Sequence, residues 1–331
     1  MTTVRTVGIK DVARHAGVSP ATVSNVLNHP HKVASTTRAR IEHAIHELGF
    51  VRDGSAASLR SGRGRSVGVV VIDITNPFFA ELARGVADAL TPHGYAMILC
   101  NSADDPGREN AHLSVLAEQR VRGTLLSPIT GSTPRIDLHG EPVVLVDHPA
   151  ATADRCSVAV DDVTGGRLAV THLIEAGAER IVIVNGAQTK RQCADRSRGA
   201  HLAVEGTAVT LEEMDVGRLN VDTGEQAGEA LLRAGDLPAA IFCTTDLGAL
   251  GVLRALLRAG VRVPDDIRLI GYDDIGLAAA SPVPLTSIHQ PAYQLGKVAT
   301  ELLLEETDEP GTHAHQQILF QPTLVIREST G

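Results

Sequence analysis

The chain contains no tryptophan, three tyrosines and five phenylalanines, so aromatic residues make up only 2% of its 331 positions. Any ring-stacking surface must come from a handful of side chains, and Phe78 and Phe79 place two of the five phenylalanines side by side. The four cysteines, Cys100, Cys156, Cys193 and Cys243, stand apart with no C-x-x-C pair. That spacing indicates neither a zinc site nor a disulfide framework and suits a reducing compartment. No apolar run reaches the roughly 18 residues of a membrane helix, and no charged-then-apolar leader opens the chain. Secretion and membrane insertion are therefore disfavoured, and a cytoplasmic protein without a membrane partner is expected.

What is present is unevenly distributed. The net charge of −9 conceals a basic head on an acidic body: residues 1–65 hold ten Lys and Arg against four Asp and Glu, and the remaining 266 hold 20 against 35. Positive charge concentrated at one end points to nucleic acid at that end alone. The length suits a small headpiece followed by two lobes rather than one core.

Within the basic head, Ile9, Val12, Ala13 and Ala16 recur at helical spacing and give a first helix one apolar stripe, which Gly17 ends. Ser19 is placed as an N-cap, Pro20 then occupies the first helical position without losing a donor, and Val18 and Val23 can close a hydrophobic staple. The second helix buries Val23, Val26 and Leu27 and turns Ala21, Thr22, Ser24 and Asn25 outward. A third helix from about Ser35 to Leu48 carries Ile41, Ile45 and Leu48 on one face, closing a three-helix unit of about fifty residues. Two short helices joined by a tight turn are the spacing of a helix-turn-helix.

The run Asp11-Val12-Ala13, Gly17-Val18-Ser19, Thr22-Val23-Ser24 and Val26-Leu27-Asn28 resembles the amino-terminal signature of the lactose-repressor (LacI/GalR) family. The resemblance extends along essentially the whole chain through Asn76-Pro77-Phe78-Phe79, Ile270-Gly271-Tyr272-Asp273-Asp274, Leu285-Thr286-Ser287-Ile288 and the closing Pro322 to Ser329. It implies a near-palindromic double-stranded operator as partner, with Pro20, Ala21 and Asn25 reading bases and Ser19, Thr22, Ser24 and Asn28 beside them on the DNA. It further implies a hinge helix over about residues 54–60 that forms on DNA, where Ser58, Leu59 and Arg60 touch the duplex and Leu59 wedges into the minor groove. Asp53 stands where the family usually has Asn and Ala57 where it usually has Arg, and Gly54 lowers helix propensity.

From Val67 onward, apolar runs alternate with helical segments: Val67–Ile74, Ala96–Cys100, Thr124–Ser127, Val143–Val146, Ile181–Val184, Ala240–Cys243 and Leu269–Gly271. Such alternation argues parallel sheets covered by helices on both faces. The expected fold class is thus α/β: a small all-α headpiece (residues 1–50), a Gly-, Ser- and Arg-rich hinge linker (51–66), and a two-lobed body of doubly wound parallel sheets (67–331). The resemblance supplies the topology of periplasmic sugar-binding proteins, with an N-lobe of about 67–161 and 292–322, a C-lobe of about 162–290 and 323–331, and a ligand cleft between them.

Ligands gather beyond the carboxyl ends of parallel strands. Asp73 and Asn76, Thr245 and Asp246, Asp273, and Gln290 each follow an apolar run, and convergent carboxylates and amides suit hydroxyl recognition. Asp246 has a competing role as a helix cap. Phe78 and Phe79 are candidates for a stacking wall. By resemblance Arg196 and Asp273 hold the effector and Leu219 lies about where many relatives carry an aromatic. The basic stretch from Lys190 to Arg198 either admits an anionic ligand or is solvated charge, leaving a sugar, a sugar phosphate or a nucleoside as candidate effectors.

Gly62-x-Gly64 precedes rather than follows a strand, which does not support a dinucleotide fingerprint. His43, His46 and Glu47 sit on a polar helix face without an evident third ligand, and His313 and His315 fall in a surface loop, so no metal is expected. No cofactor and no catalytic residues are expected either. The leading reading is a ligand-responsive transcriptional repressor acting as a homodimer, since no heptad-bearing tail follows the last strand. A solute-binding protein or an enzyme on the same two-lobed fold is the competing one.

Overall fold

Gly17 (φ 63°) makes the turn that the first helix needs in order to stop. Helix α1 (Ile9–His15) ends there, and Val18 N–H reaches back to Ala13 O at 3.0 Å, closing a Schellman-type cap. Helix α2 (Pro20–Asn28) starts on Ser19, whose Oγ accepts from Thr22 N–H at 3.2 Å. Helix α3 is Ser35–Leu48. Val12, Ala13, Ala16, Val23, Val26, Ile41 and Ala44 form the buried centre of this unit, with Val18, Leu27, Ile45 and Leu48 packed against it.

The computed structural model describes residues 7–50, 64–129, 141–309 and 311–331. The chain divides into two compact units, residues 1–62 and 63–331. Ser58, Leu59 and Arg60 lie outside the described residues, as does the side chain of Asn28.

The larger unit is built on two six-stranded sheets. The first contains β1 (Ser66–Val71), β2 (Ala96–Asn101), β3 (Thr124–Leu126), β4 (Val143–Val146), β5 (Ser157–Val160) and β11 (Gln317–Phe320), all parallel, in the order 11-5-4-3-1-2. The second contains β6 (Arg180–Asn185), β7 (Thr210–Asp215), β8 (Ala240–Cys243), β9 (Arg268–Asp273), β10 (Thr286–His289) and β12 (Thr323–Val325), in the order 12-10-9-8-6-7, with β12 antiparallel to β10. The chain therefore passes between sheets after β5, after β10 and after β11. Strands β1, β3, β4, β8 and β9 are almost wholly buried apolar runs, as sheets covered on both faces require.

Helices fill the connections: α4 (Pro77–Leu90), α5 (Pro106–Glu118), α6 (Asp162–Glu175), α7 (Arg191–Val204), α8 (Val221–Ala234), α9 (Asp246–Arg258), α10 (Gly276–Ala279) and α11 (Ala292–Asp308). The contact between α6 and α7 positions the site. A Cβ on Gly166 would stand 2.0 Å from Arg196 O, and one on Gly199 2.0 Å from Val163 O. Only glycine lets these backbones touch, and their contact brings Asp162 at the start of α6 to Arg196 in the first turns of α7.

The cysteines are free, as their spacing implied. Cys156 is nevertheless not isolated: His313 and His315, expected merely at the surface, meet its sulfur across more than 150 residues of chain.

Candidate functional site

On the headpiece, Ser19, Pro20, Ala21 and Asn25 are exposed along α2, and Thr22 and Ser24 are half-buried at its first turns. Ser19 Oγ and Thr22 Oγ1 lie 2.9 Å apart. The amide end of a helix is electropositive and suited to phosphate, and the exposed cations Lys10, Arg14, Lys32 and Arg40 belong to the same unit.

In the body, a cavity of about 100 Å³ lies where the carboxyl ends of the two sheets converge. Nine of the ten residues expected on the effector line it: Asp73, Phe78, Phe79, Lys190, Arg196, Leu219, Thr245, Asp273 and Gln290. Asp246 does not. Its carboxylate is sealed behind the wall, accepting from Ser287 Oγ at 2.7 Å and from Ile275 N–H at 2.8 Å, and burial raises its pKa well above the ordinary carboxyl range. Nor does it cap α9; that is done by Thr245, whose hydroxyl accepts from Gly248 N–H at 3.1 Å.

Arg196 is the electrostatic centre. Its Nε donates to Asp162 Oδ1 at 2.8 Å, its Nη1 donates to Thr244 O at 2.7 Å and lies 3.6 Å from Asp273 Oδ1, and its guanidinium stacks 3.7 Å from the centre of the Tyr272 ring. Tyr272 in turn donates its hydroxyl proton to Asp162 Oδ1 at 2.9 Å. Burial opposes the charge on Arg196, but the surrounding carboxylates outweigh it and hold its pKa well above the usual value.

Among the described residues, four residue pairs join the two lobes across the cavity. Asn76 Nδ2 donates to Asp273 Oδ2 at 3.2 Å, and Gln192 Nε2 to Asp147 Oδ2 at 3.1 Å. Lys190 Nζ lies 2.5 Å from Asp104 Oδ2, and Arg218 Nη2 lies 2.5 Å from Asp73 Oδ2. The body as described is thus a closed arrangement in which each lobe holds the other.

Asp104 (φ 66°), Asp147 (φ 58°) and Asp273 (φ 108°) all adopt positive φ, an uncommon backbone state for residues other than glycine that tends to gather at binding sites. Burial, reinforced by Asp162, pushes the Asp147 carboxyl up to about 8. Asp273 is raised by burial to about 6, with Arg196 working the other way. Three buried polar atoms in the wall, Asp104 Oδ1, Asp147 Oδ1 and Gln290 Oε1, have no hydrogen-bond partner in the protein.

Sequence reasoning missed Asp104, Asp147, Gln192 and Arg218 on the cavity, and Asp162 and Tyr272 behind it. Asp147 was accessible to the rule already applied elsewhere, since it directly follows the apolar run Val143–Val146. Asp162 and Tyr272 act only through Arg196 and carry no local signal.

A helix-turn-helix joined in one chain to a two-lobed body with a cavity between its two sheets defines a class, the ligand-responsive transcriptional regulators. Residues 8–53 match the family described as bacterial regulatory proteins, lacI family, and residues 170–330 match a periplasmic binding protein-like domain. The HTH-type transcriptional repressor PurR of Photobacterium profundum is 35% identical over 327 residues, covering 97% of this chain and 98% of that protein. Among solved structures, the Lac repressor dimer bound to operator and the anti-inducer ONPF superposes with a TM-score of 0.84 at 26% identity, over 98% of this chain and 99% of that one. The transcriptional regulator CelR in complex with cellobiose gives 0.71 at 30% identity, over 98% and 99%. The chain belongs to the lacI family of bacterial regulatory proteins.

Proposed function

We propose that this protein is a homodimeric repressor whose hold on a near-palindromic operator is governed by a neutral, hydroxyl-rich small molecule, a sugar or a nucleoside, bound in the body cavity. The observation that carries the effector class is a trio of buried polar atoms without protein partners: the acceptors Asp104 Oδ1 and Gln290 Oε1, and Asp147 Oδ1, which donates while the carboxyl holds its proton. Buried atoms of this kind call for ligand groups that can both donate and accept, as hydroxyls do, because leaving them unsatisfied costs about 1–3 kcal/mol each. Phe78, Phe79 and Leu219 supply the apolar side of the same wall.

Charge argues against an anionic effector. The cations of the basic stretch are paired: Lys190 with Asp104, Arg196 with Asp162, and Arg191 and Arg198 with the single carboxylate of Asp195. Arg218 is likewise matched by Asp73. A phosphate would have to displace these carboxylates before it gained a cation. The cellobiose held by CelR is of the neutral, hydroxyl-rich kind.

On the DNA side, the reading assigns base contacts to Pro20, Ala21 and Asn25, backbone contacts to Ser19, Thr22, Ser24 and Asn28, and the minor-groove wedge to Leu59 between Ser58 and Arg60. The experiment pairs a thermal-shift screen over neutral sugars, nucleosides and sugar phosphates with fluorescence anisotropy on DNA from upstream of the gene. Sequence-selective binding changed by a neutral ligand supports the reading. Absence of selective binding with and without every ligand, or a response confined to phosphorylated ligands, contradicts it.

A further inference from the structure

We propose that Cys156, Glu306, His313 and His315 form a binding site for a divalent transition metal, with zinc the best match. The four residues come from three separate segments. Cys156 directly precedes β5, Glu306 lies in the last turn of α11, and the two histidines lie in the connection from α11 to β11. One ligand atom from each lies within 4.8 Å of every other. Cys156 Sγ is 3.1 Å from His313 Nε2 and 3.8 Å from His315 Nδ1. Zinc–sulfur bonds of about 2.3 Å and zinc–nitrogen bonds of about 2.0–2.1 Å, set tetrahedrally, separate sulfur and nitrogen by about 3.5 Å, and the two observed distances bracket that value.

The donor set is selective as well as compact. One thiolate, two imidazoles and one carboxylate suit zinc and disfavour magnesium or calcium, which prefer oxygen alone. His313 would bind through Nε2 and His315 through Nδ1, so each keeps its proton on the other ring nitrogen. Binding the metal releases the Cys156 thiol proton to solvent, with no change of oxidation state.

Location separates this site from the effector cavity. β5 and β11 pair in parallel, and the cluster sits at their amino ends, whereas the cavity is built at the carboxyl ends. Ser66 opens β1 at this same end of the sheet. Bound metal would tie the edge strand β11 and the α11–β11 connection to the interior strand β5, where the Gln316 N–H already donates to Cys156 Sγ at 3.3 Å.

The test uses the full chain, stripped with chelator and then titrated with Co²⁺ and with Zn²⁺ against a chromophoric competitor. The proposal expects one equivalent, tetrahedral cobalt bands with a thiolate-to-cobalt charge-transfer band, and a melting temperature that rises with zinc. His315 is exposed, so His315→Ala leaves the fold intact; it should weaken binding by about 100-fold or more, beyond what loss of an outer-shell partner causes. Cys156→Ser should abolish the charge-transfer band. Absence of stoichiometric uptake overturns the proposal. So does uptake that is unchanged in both variants or that is lost instead on His43→Ala, which would assign the metal to His15, His43 and Glu47 of the headpiece.

Discussion

Arg196 sits over Tyr272, its guanidinium carbon 3.7 Å from the ring centre, and both side chains converge on Asp162 Oδ1. The residue assigned by resemblance to the effector therefore also ties together a helix and two strands of the second lobe. Removing it leaves Asp162 and Asp273 buried and short of a cation, a change that costs about 3–5 kcal/mol when a buried pair is broken. Arg196→Ala is expected to lower the urea midpoint of the body by a corresponding amount, and Arg196→Lys to recover only part of it because an ammonium cannot serve Asp162, Thr244 and the Tyr272 face together. A midpoint within error of the wild type would show that the network adds nothing to the fold.

Asp147 predicts a pH dependence with a definite sign. An unfolded aspartate ionises near pH 3.9, whereas folded Asp147 keeps its proton to about 8. The stability contributed by this carboxyl is complete below the unfolded value and is lost as pH rises through the folded one. Melting curves of the ligand-free protein should fall more steeply between about pH 5 and pH 8 for the wild type than for Asp147→Asn. Parallel profiles would contradict the assignment.

The contacts across the cavity can be tested singly. Lys190→Ala removes one of four ties between the lobes while leaving Arg196 and its partners in place. The expected result is a small stability loss, about 1 kcal/mol or less as for other partly exposed pairs, together with a larger radius of gyration of the ligand-free body by small-angle scattering. An unchanged radius in both Lys190→Ala and Arg218→Ala would mean that these ion pairs do not hold the lobes closed.

Headpiece variants should fail in different ways. Asn25 is exposed on α2, whereas the Thr22 hydroxyl is engaged with Ser19. Asn25→Ala is expected to relax preference at one operator position at a cost of about 1–3 kcal/mol, and Thr22→Ala to weaken all sequences alike. Anisotropy titrations over a set of single-base operator variants measure both, and uniform loss for Asn25→Ala would remove its base-reading role.

What could be read from the sequence was what is local. Ser19, Pro20 and Gly17 set the ends of α1 and α2 by backbone chemistry that needs no distant partner, and α3 follows from its own apolar spacing. Most buried strands were legible as apolar runs, but Ser157–Val160, fully buried and only four residues long, was not among them. Thr210–Asp215 was not, because it is an edge strand bearing Glu212, Glu213 and Asp215, and Gln317–Phe320 alternates between exposed and half-buried positions at the opposite kind of edge. Asp73, Thr245, Asp273 and Gln290 were found at or just after strand ends and Asp147, which directly follows Val143–Val146, was not; Gln192 and Arg218 belong to a helix start and a loop, where sequence spacing says nothing about a partner across the cleft. The Cys156 cluster is a case of the same kind, its members joined only by folding.

The most direct test of the whole account is an effector titration of protein bound to labelled operator DNA, run in parallel on the wild type and on Gln290→Ala. Gln290 faces the cavity with Oε1 unpartnered and lies in the body, not in the headpiece. A ligand changes DNA affinity only through its differential affinity for body conformations, so weakening its grip should weaken the signal without altering DNA binding itself. The account predicts equal operator affinity for the two proteins without ligand and a ligand response that is displaced to higher concentration or absent in Gln290→Ala. Identical ligand responses in the two proteins, or no response in the wild type to any neutral hydroxyl-rich compound, would contradict it.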